Sequence, residues 1–133
     1  MLKSCSYCHR IHDSKHICQQ KQQAINARQR RYKSNRNIDQ FRNSTAWRKK
    51  REEIKDRDLH LCQICIRNLY GTVNQYTYDN LSVHHAESLE DAWDKRLDND
   101  NLITGCDRHH EMMESGEIPK DVVLSIIKEQ ENK

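Results

Sequence analysis

Four residues in the second half of the chain have the types and spacing of a zinc site. Cys62 and Cys65 form a Cys-x2-Cys pair, and Cys106 and His109 form a Cys-x2-His pair further along the chain. Thiolate sulfur and imidazole nitrogen are the ligands that tetrahedral zinc takes in structural sites. The spacing therefore predicts a structural Zn2+ that clamps two distant segments together, in a chain with too few large apolar residues to rely on its core alone.

A second cysteine-rich segment lies at the N-terminus. Cys5, Cys8 and Cys18 fall within a short window, and the fourth tetrahedral ligand would have to be a histidine. His12 completes a Cys-x2-Cys-x3-His-x5-Cys pattern close to the spacing of zinc knuckles, and His16 is the alternative ligand. The segment predicts a second structural zinc site; the alternative is a tail that binds no metal. The two sets of ligands together use all six cysteines.

Adjacent histidines form the next chemically suggestive pattern. His84-His85 ends a short apolar run, and His110 directly follows the expected zinc ligand His109, with Asn101 between the two pairs. Successive side chains on a regular strand point to opposite faces, so the first pair cannot aim both imidazoles at one point. One of the two can therefore face a metal while the other faces a water molecule.

Over roughly residues 44–116, this combination of motifs resembles the HNH endonuclease family. The resemblance implies a small, zinc-stapled α+β domain of the ββα-metal (His-Me finger) type, built around one catalytic metal. It implies that His84 and His110 ligate that metal and that His85 is the general base. It also implies that Asn101 holds the loop that orients His85.

The identity of the catalytic metal stays open. Two imidazole ligands suit Zn2+, Ni2+ or Mn2+, whereas Mg2+ prefers oxygen ligands and would need water and phosphate to complete its shell. Glu114, one helical turn beyond His110, is expected to orient that imidazole or to join the metal shell.

The charge of the chain is unevenly distributed. Residues 1–60 carry 16 Lys/Arg against 6 Asp/Glu, whereas residues 61–133 carry 7 against 14. A basic half attached to a histidine-rich half indicates an arm that binds DNA phosphates without sequence preference. The alternative interpretation is a solvated, partly helical linker. The residues expected to contact DNA are Arg28, Arg30, Arg31, Lys33, Arg36, Arg48, Lys49 and Arg51.

The elements that must position these residues can be predicted in outline. Ser44 or Thr45 is expected to cap a helix over about residues 46–58. Residues 68–83 are expected to form a hairpin whose tyrosines pack in the core. Gly116 is a suitable C-cap, after which a last, structural helix is expected.

The predicted organisation is a zinc-knuckle-like module at 1–20, a basic linker or helix at 21–43 and an HNH nuclease domain at 44–133. No apolar run approaches membrane length and no secretory segment opens the chain, so a reducing interior is expected, with cysteines as metal ligands. The oligomeric state is open.

The expected function is metal-dependent hydrolysis of DNA phosphodiester bonds, by nicking or double-strand cleavage, with little sequence readout. Small HNH proteins of this appearance resemble those of bacteriophages, which act beside terminase subunits in genome packaging, here in the host cytoplasm. The alternatives are a restriction or homing nuclease of the same family and a non-catalytic, zinc-dependent DNA-binding protein.

Overall fold

The computed structural model describes all residues from Met1 to Lys133 and has an α+β architecture of four helices and two small sheets. In chain order, the elements are β1 (Leu2–Ser4), β2 (Ile11–Asp13), α1 (Gln19–Arg42), α2 (Thr45–Arg57), β3 (Leu81–His85), β4 (Leu102–Cys106), α3 (Asp107–Ser115) and α4 (Lys120–Glu131). The chain divides into two compact units, Met1–Gln40 and Phe41–Lys133. None of the helices combines the length and apolarity needed to cross a membrane.

The N-terminal unit consists of a small antiparallel hairpin followed by a long helix. β1 pairs with β2 in the register Leu2↔Asp13. The predicted basic linker, residues 21–43, lies almost entirely within α1, a single helix of 24 residues. Gln, Ala and Arg favour helix and the segment contains neither Gly nor Pro, so the helix continues without interruption. Residues 28–37 are all exposed, which leaves their basic side chains accessible to a ligand.

The second unit begins with α2, whose start agrees with the sequence. The Ser44 hydroxyl accepts a hydrogen bond from the backbone N–H of Trp47 at 3.1 Å, which is the N-cap geometry expected for this residue. Trp47 and Ile54 are buried on one side of the helix. Leu59 and His60 then adopt positive φ values of 58° and 54°, and the chain turns sharply towards the first cysteine pair.

The predicted hairpin over residues 68–83 is wrong. Residues 68–80 form a series of turns, and β3 pairs instead with β4 in antiparallel register, Leu81↔Cys106 to His85↔Leu102. Side chains hydrogen-bond the local backbone in this segment. The Thr77 hydroxyl donates to the Asn74 carbonyl at 2.7 Å, and the Asn74 side chain accepts from Tyr76 N–H at 3.1 Å. These side-chain bonds compete with strand pairing.

The tyrosines of this segment also differ in part from the expectation. Tyr70 packs against the core, but Tyr76 and Tyr78 are 60% and 74% exposed. The turns direct the latter two side chains outwards, so the expectation that they form part of the core is wrong.

The last part of the chain closes the core around the sheet. α3 follows β4 directly and ends at Gly116, whose φ of 87° is the left-handed conformation expected of a C-cap. α4 then buries Val123, Ile126 and Ile127 against a core that also contains Ile64 and Ile103. β3, β4 and α3 are thus consecutive, and their junctions bring the histidines and cysteines together.

A buried polar network ties α2 to the sheet and to α4. Asp58, which is fully buried, accepts hydrogen bonds from Arg57, from the side chain of Gln130 at 3.1 Å and from the backbone N–H of Thr104 at 2.9 Å. Arg57 in turn donates to the Leu102 carbonyl at 2.7 Å. These contacts hold β4 against the C-terminal end of α2.

Candidate metal centres and the paired histidines

Cys62, Cys65, Cys106 and His109 form a compact donor set, called here the C-terminal donor set. The first two lie in the turns after α2, Cys106 ends β4, and His109 lies in the first turn of α3. Their ligand atoms are all within 4.8 Å of one another. The cysteines are free thiols, and the Cys65 and Cys106 sulfurs are 3.8 Å apart, too far for a disulfide.

The distances in this set match a tetrahedral zinc site. Typical bond lengths around tetrahedral zinc place two sulfurs about 3.8 Å apart and a sulfur and a nitrogen about 3.5 Å apart. Nδ1 of His109 lies 3.5 Å from Sγ of Cys62 and 3.3 Å from Sγ of both Cys65 and Cys106. The side chains present therefore fit the structural zinc predicted from their spacing.

The protonation chemistry of the set agrees with this assignment. His109 Nε2 is 3.2 Å from the Tyr70 carbonyl oxygen, so Nε2 carries the proton and Nδ1 presents its lone pair to the sulfurs. Burial lowers the pKa of His109, which keeps the ring neutral. Burial raises the pKa of the Cys62 thiol to about 12, so zinc binding at neutral pH must release its proton.

The N-terminal donor set consists of Cys5, Cys8, His12 and Cys18, whose ligand atoms also lie within 4.8 Å of one another. The sulfurs of Cys5 and Cys18 are 3.7 Å apart, close to the spacing across a tetrahedral zinc. Backbone N–H groups of Cys8 and, secondarily, of the residue before it lower the pKa of Cys5 to about 6, which favours the thiolate. This set too could hold structural zinc.

The choice between His12 and His16 is informed by their hydrogen bonds. His12 Nδ1 lies 2.9 Å from the Asp13 carbonyl oxygen, whereas its Nε2 is buried without a hydrogen-bond partner. A buried ring nitrogen without a hydrogen-bond partner, close to three cysteine sulfurs, is expected of a residue that binds a metal through that nitrogen. His16 lies outside the set, with its ring centroid 4.8 Å from that of His12.

A third donor set combines His84, His110 and Glu114. His84 Nδ1 lies 3.1 Å from Oε1 of Glu114, and His110 Nε2 lies 3.5 Å from the same oxygen. The two imidazole rings meet edge to face with centroids 5.2 Å apart. Burial lowers the pKa of His84 to about 4, so this imidazole is neutral at physiological pH. Two nitrogens and one oxygen thus converge and could hold a metal ion.

His85 lies apart from this set and has its own contacts. Its Nε2 is 3.0 Å from the Arg96 carbonyl oxygen, and its ring stacks on Trp47 with centroids 4.7 Å apart. Burial lowers the pKa of His85. Adjacent residues of β3 therefore direct their imidazoles to different neighbours, as strand geometry requires: His84 faces α3 and His85 faces α2.

Asn101 braces the chain that follows His85. Its Oδ1 accepts a hydrogen bond from Glu87 N–H at 2.7 Å, and its Nδ2 donates to the Glu87 carbonyl at 3.0 Å. Its backbone carbonyl accepts from Ala86 N–H at 2.9 Å. A buried side-chain amide that bonds both backbone groups of one residue holds that loop in a single conformation.

Three side chains lie near His85 in a way that is not evident from sequence patterns. Trp47 is buried, and its stacking on His85 depends on the packing of α2 against β3. Phe41 is also buried, with its ring 5.2 Å from Trp47 and 6.0 Å from His85. The positive charge of Arg42 is close enough to contribute, after burial, to the lowered pKa of His85.

The residues predicted to contact DNA are distributed over both units. Five lie in the exposed middle of α1, and Arg48 and Lys49 are exposed on α2, whereas Arg51 is partly buried and its Nε has no hydrogen-bond partner. The five on α1 are Arg28, Arg30, Arg31, Lys33 and Arg36.

Comparisons with protein-family models, with curated proteins and with solved structures find no match for this chain. A functional proposal therefore rests on the three donor sets and on the side chains around them.

Proposed function

We propose that this chain is a metal-dependent DNA endonuclease of the HNH type, in which β3, β4 and α3 form a ββα-metal centre. The observation that supports it most is the division of the paired histidines. His84 belongs to a donor set with His110 and Glu114, whereas the adjacent His85 lies outside that set and is held by separate groups. A neutral base beside a metal-binding donor set is what hydrolysis of a phosphodiester requires.

His85 would act as the general base. The Arg96 carbonyl can only accept a hydrogen bond, so His85 Nε2 carries the ring proton and Nδ1 keeps a free lone pair. The lowered pKa caused by burial keeps the ring neutral at physiological pH. His85 Nδ1 can then take a proton from the attacking water, while Asn101 holds the adjacent loop and with it the position of the ring.

His84, His110 and Glu114 would hold the catalytic metal. When bound, a divalent cation would supply charge stabilisation for the phosphate and the leaving oxygen. Two imidazole nitrogens and one carboxylate oxygen suit Mn2+, Ni2+ or Zn2+, and Mg2+ could bind if phosphate and water complete its shell. Glu114 is 61% exposed, so the set opens to solvent on that side and leaves room for a substrate phosphate.

The two Cys3His sets would serve structure rather than chemistry. Four protein ligands fill a tetrahedral zinc, which leaves no position for substrate. In the C-terminal set, zinc would join the turns after α2 to the junction of β4 and α3. That junction directly precedes His110, so the zinc would also position one side of the catalytic donor set.

DNA is the proposed substrate because exposed cations precede the site along the chain. The central part of α1 and the start of α2 present exposed basic side chains, which suit a regular array of phosphates. Contacts of this kind position the duplex without reading its sequence. We therefore expect cleavage with little sequence preference.

The proposal is tested by incubating supercoiled plasmid with the purified protein and with Mg2+, Mn2+, Ni2+, Zn2+ or a chelator. His85→Ala should lower cleavage by about 100- to 10,000-fold, the range for loss of a general base, and should leave DNA binding intact. His60→Ala is a matched control, because the side chain of that histidine is about half exposed and hydrogen-bonds Asp56. Binding without cleavage under every metal would instead indicate a non-catalytic zinc-dependent DNA-binding protein.

A further inference from the structure

The imidazole of His85 is held at one edge and on one face. At its edge, Nε2 bonds the Arg96 carbonyl at 3.0 Å. On its face lies the indole of Trp47, with ring centroids 4.7 Å apart and an angle of 28° between the ring planes. The indole belongs to α2, outside the β3–β4–α3 segment that carries the histidines and Asn101.

We propose that Trp47 is a positioning residue that fixes the ring plane of His85, and with it the direction in which Nδ1 points. This inference rests on the proposed function of His85 as general base. It means that α2 also helps to position the general base, a role that cannot be inferred from the spacing of the histidines.

The hydrogen bond from His85 Nε2 to the Arg96 carbonyl does not by itself prevent rotation of the imidazole ring. The axis of the bond that joins the ring of His85 to its Cβ leaves the ring between Cε1 and Nε2, so rotation about it moves Nε2 less than it moves Nδ1. A hydrogen bond from Nε2 to one carbonyl tolerates much of that rotation, since carbonyl acceptors have a broad angular preference. A flat aromatic surface against the ring face does not, because the rotation would drive the imidazole edge into it.

Trp47 is itself well fixed. It is 6% exposed, and its backbone N–H donates to the N-cap hydroxyl of Ser44 at 3.1 Å. That hydroxyl donates to the Phe41 carbonyl at 2.6 Å, and the Phe41 ring lies 5.2 Å from the indole. The stacking surface is therefore anchored at the start of α2, and the Phe41 ring packs beside both the indole and the imidazole. It can resist motion of the imidazole instead of following it.

The test compares Trp47→Leu with Trp47→Phe in the full-length, zinc-loaded protein. Leu keeps apolar bulk but removes the flat face, whereas Phe keeps a flat face. Ile54→Val is the matched control, because Ile54 is fully buried on the same helix and has no ring contact with His85. Steady-state kinetics of DNA cleavage, zinc content and thermal unfolding are measured for each variant.

Misplacement of a reacting group by about 1 Å can lower a rate on the order of 100-fold. We therefore expect Trp47→Leu to lower kcat by about 10- to 100-fold with KM unchanged. Trp47→Phe should recover most of that loss, and Ile54→Val should cleave like the wild type even though its melting temperature falls. Losses of kcat that simply follow the melting temperature across all three variants would overturn the inference, since they would mean a purely structural role.

A second measurement does not depend on activity or on a Trp47 variant that folds. In proton NMR, the ring protons of His85, assigned by their absence in His85→Gln, should be shifted upfield by the indole ring current. Absence of that shift in the wild type would overturn the inference while leaving the proposed function standing. Failure of the wild type to cleave with any metal would overturn both, and the upfield shift would then report a structural contact only.

Discussion

Replacement of Asp58 by Asn should destabilise the second unit strongly, although Asp58 belongs to none of the donor sets. The carboxylate is fully buried and receives four hydrogen bonds. Two come from Arg57, at 2.9 and 3.1 Å, one from the side chain of Gln130 and one from the backbone N–H of Thr104. An Asn side chain has one acceptor oxygen, so its NH2 group would face donors.

The size of the effect follows from the burial of both charges. Arg57 has a side chain 13% exposed and would keep only Glu131, at 2.8 Å, as a counter-ion. Removing one partner of a buried ion pair typically costs about 3–5 kcal/mol, because the other charge stays buried without compensation. This is a large fraction of the roughly 5–15 kcal/mol that stabilises an ordinary domain. For a unit of this size, such a loss should lower the melting temperature by more than about 12 °C.

Thermal and urea unfolding of Asp58→Asn, followed by circular dichroism with zinc in slight excess, measures this effect. Excess zinc keeps the metal-dependent part of the stability equal in both proteins. Glu131→Gln is the control, since it removes a more exposed partner of the same arginine and should cost about 1 kcal/mol or less. A loss below about 1 kcal/mol for Asp58→Asn, or equal losses for the two variants, would refute the assigned role of the buried pair.

Three further predictions concern the metals and the basic helix. Glu114→Gln should raise the Mn2+ concentration needed for half-maximal cleavage by about 10- to 100-fold, because a neutral amide is the weaker ligand. Cys65→Ser should release zinc from the C-terminal donor set and unfold the surrounding core, whereas Cys8→Ser should release only the N-terminal zinc; native mass spectrometry and circular dichroism measure both effects. Arg28→Ala and Arg31→Ala should each reduce the slope of log DNA affinity against log salt by about 0.9, as measured by fluorescence anisotropy.

Each of these three predictions would be contradicted by a specific result. An unchanged Mn2+ requirement in Glu114→Gln would remove that carboxylate from the proposed metal shell. A Cys65→Ser protein that stays folded without zinc would mean that the core does not need the clamp. Salt slopes that do not change would mean that the exposed cations of α1 make no phosphate contacts.

Features that depend on neighbouring residues could be predicted from the sequence. The helical start at Ser44 and the C-cap at Gly116 follow from the conformations that these residues favour locally. The composition of the two Cys3His sets was predictable because zinc demands four soft or borderline ligands, and close pairs of cysteine and histidine leave few ways to supply them. Pairs of ligands within one turn of chain are brought together by local geometry.

The partner of β3 could not be predicted in this way. The tyrosines and valines of residues 68–83 favoured a hairpin within that segment, whereas β3 pairs with β4 across a long intervening loop. Local patterns describe whether a strand has a buried face, but not which distant strand covers its hydrogen-bonding edge. In this chain, residues 68–80 form side-chain hydrogen bonds to their own backbone, and this segment does not serve as the pairing partner of β3.

The sequence by itself determined which residues could bind metal, where α2 begins and where α3 ends. Only the tertiary structure decided how those residues are divided between tasks: Glu114 facing both His84 and His110, the Arg96 carbonyl at the edge of His85, and Trp47 on its face. These contacts join α2, β3 and α3, elements far apart in the chain. Their geometry is set by how side chains of particular shapes fill the common core, which no spacing along the sequence specifies.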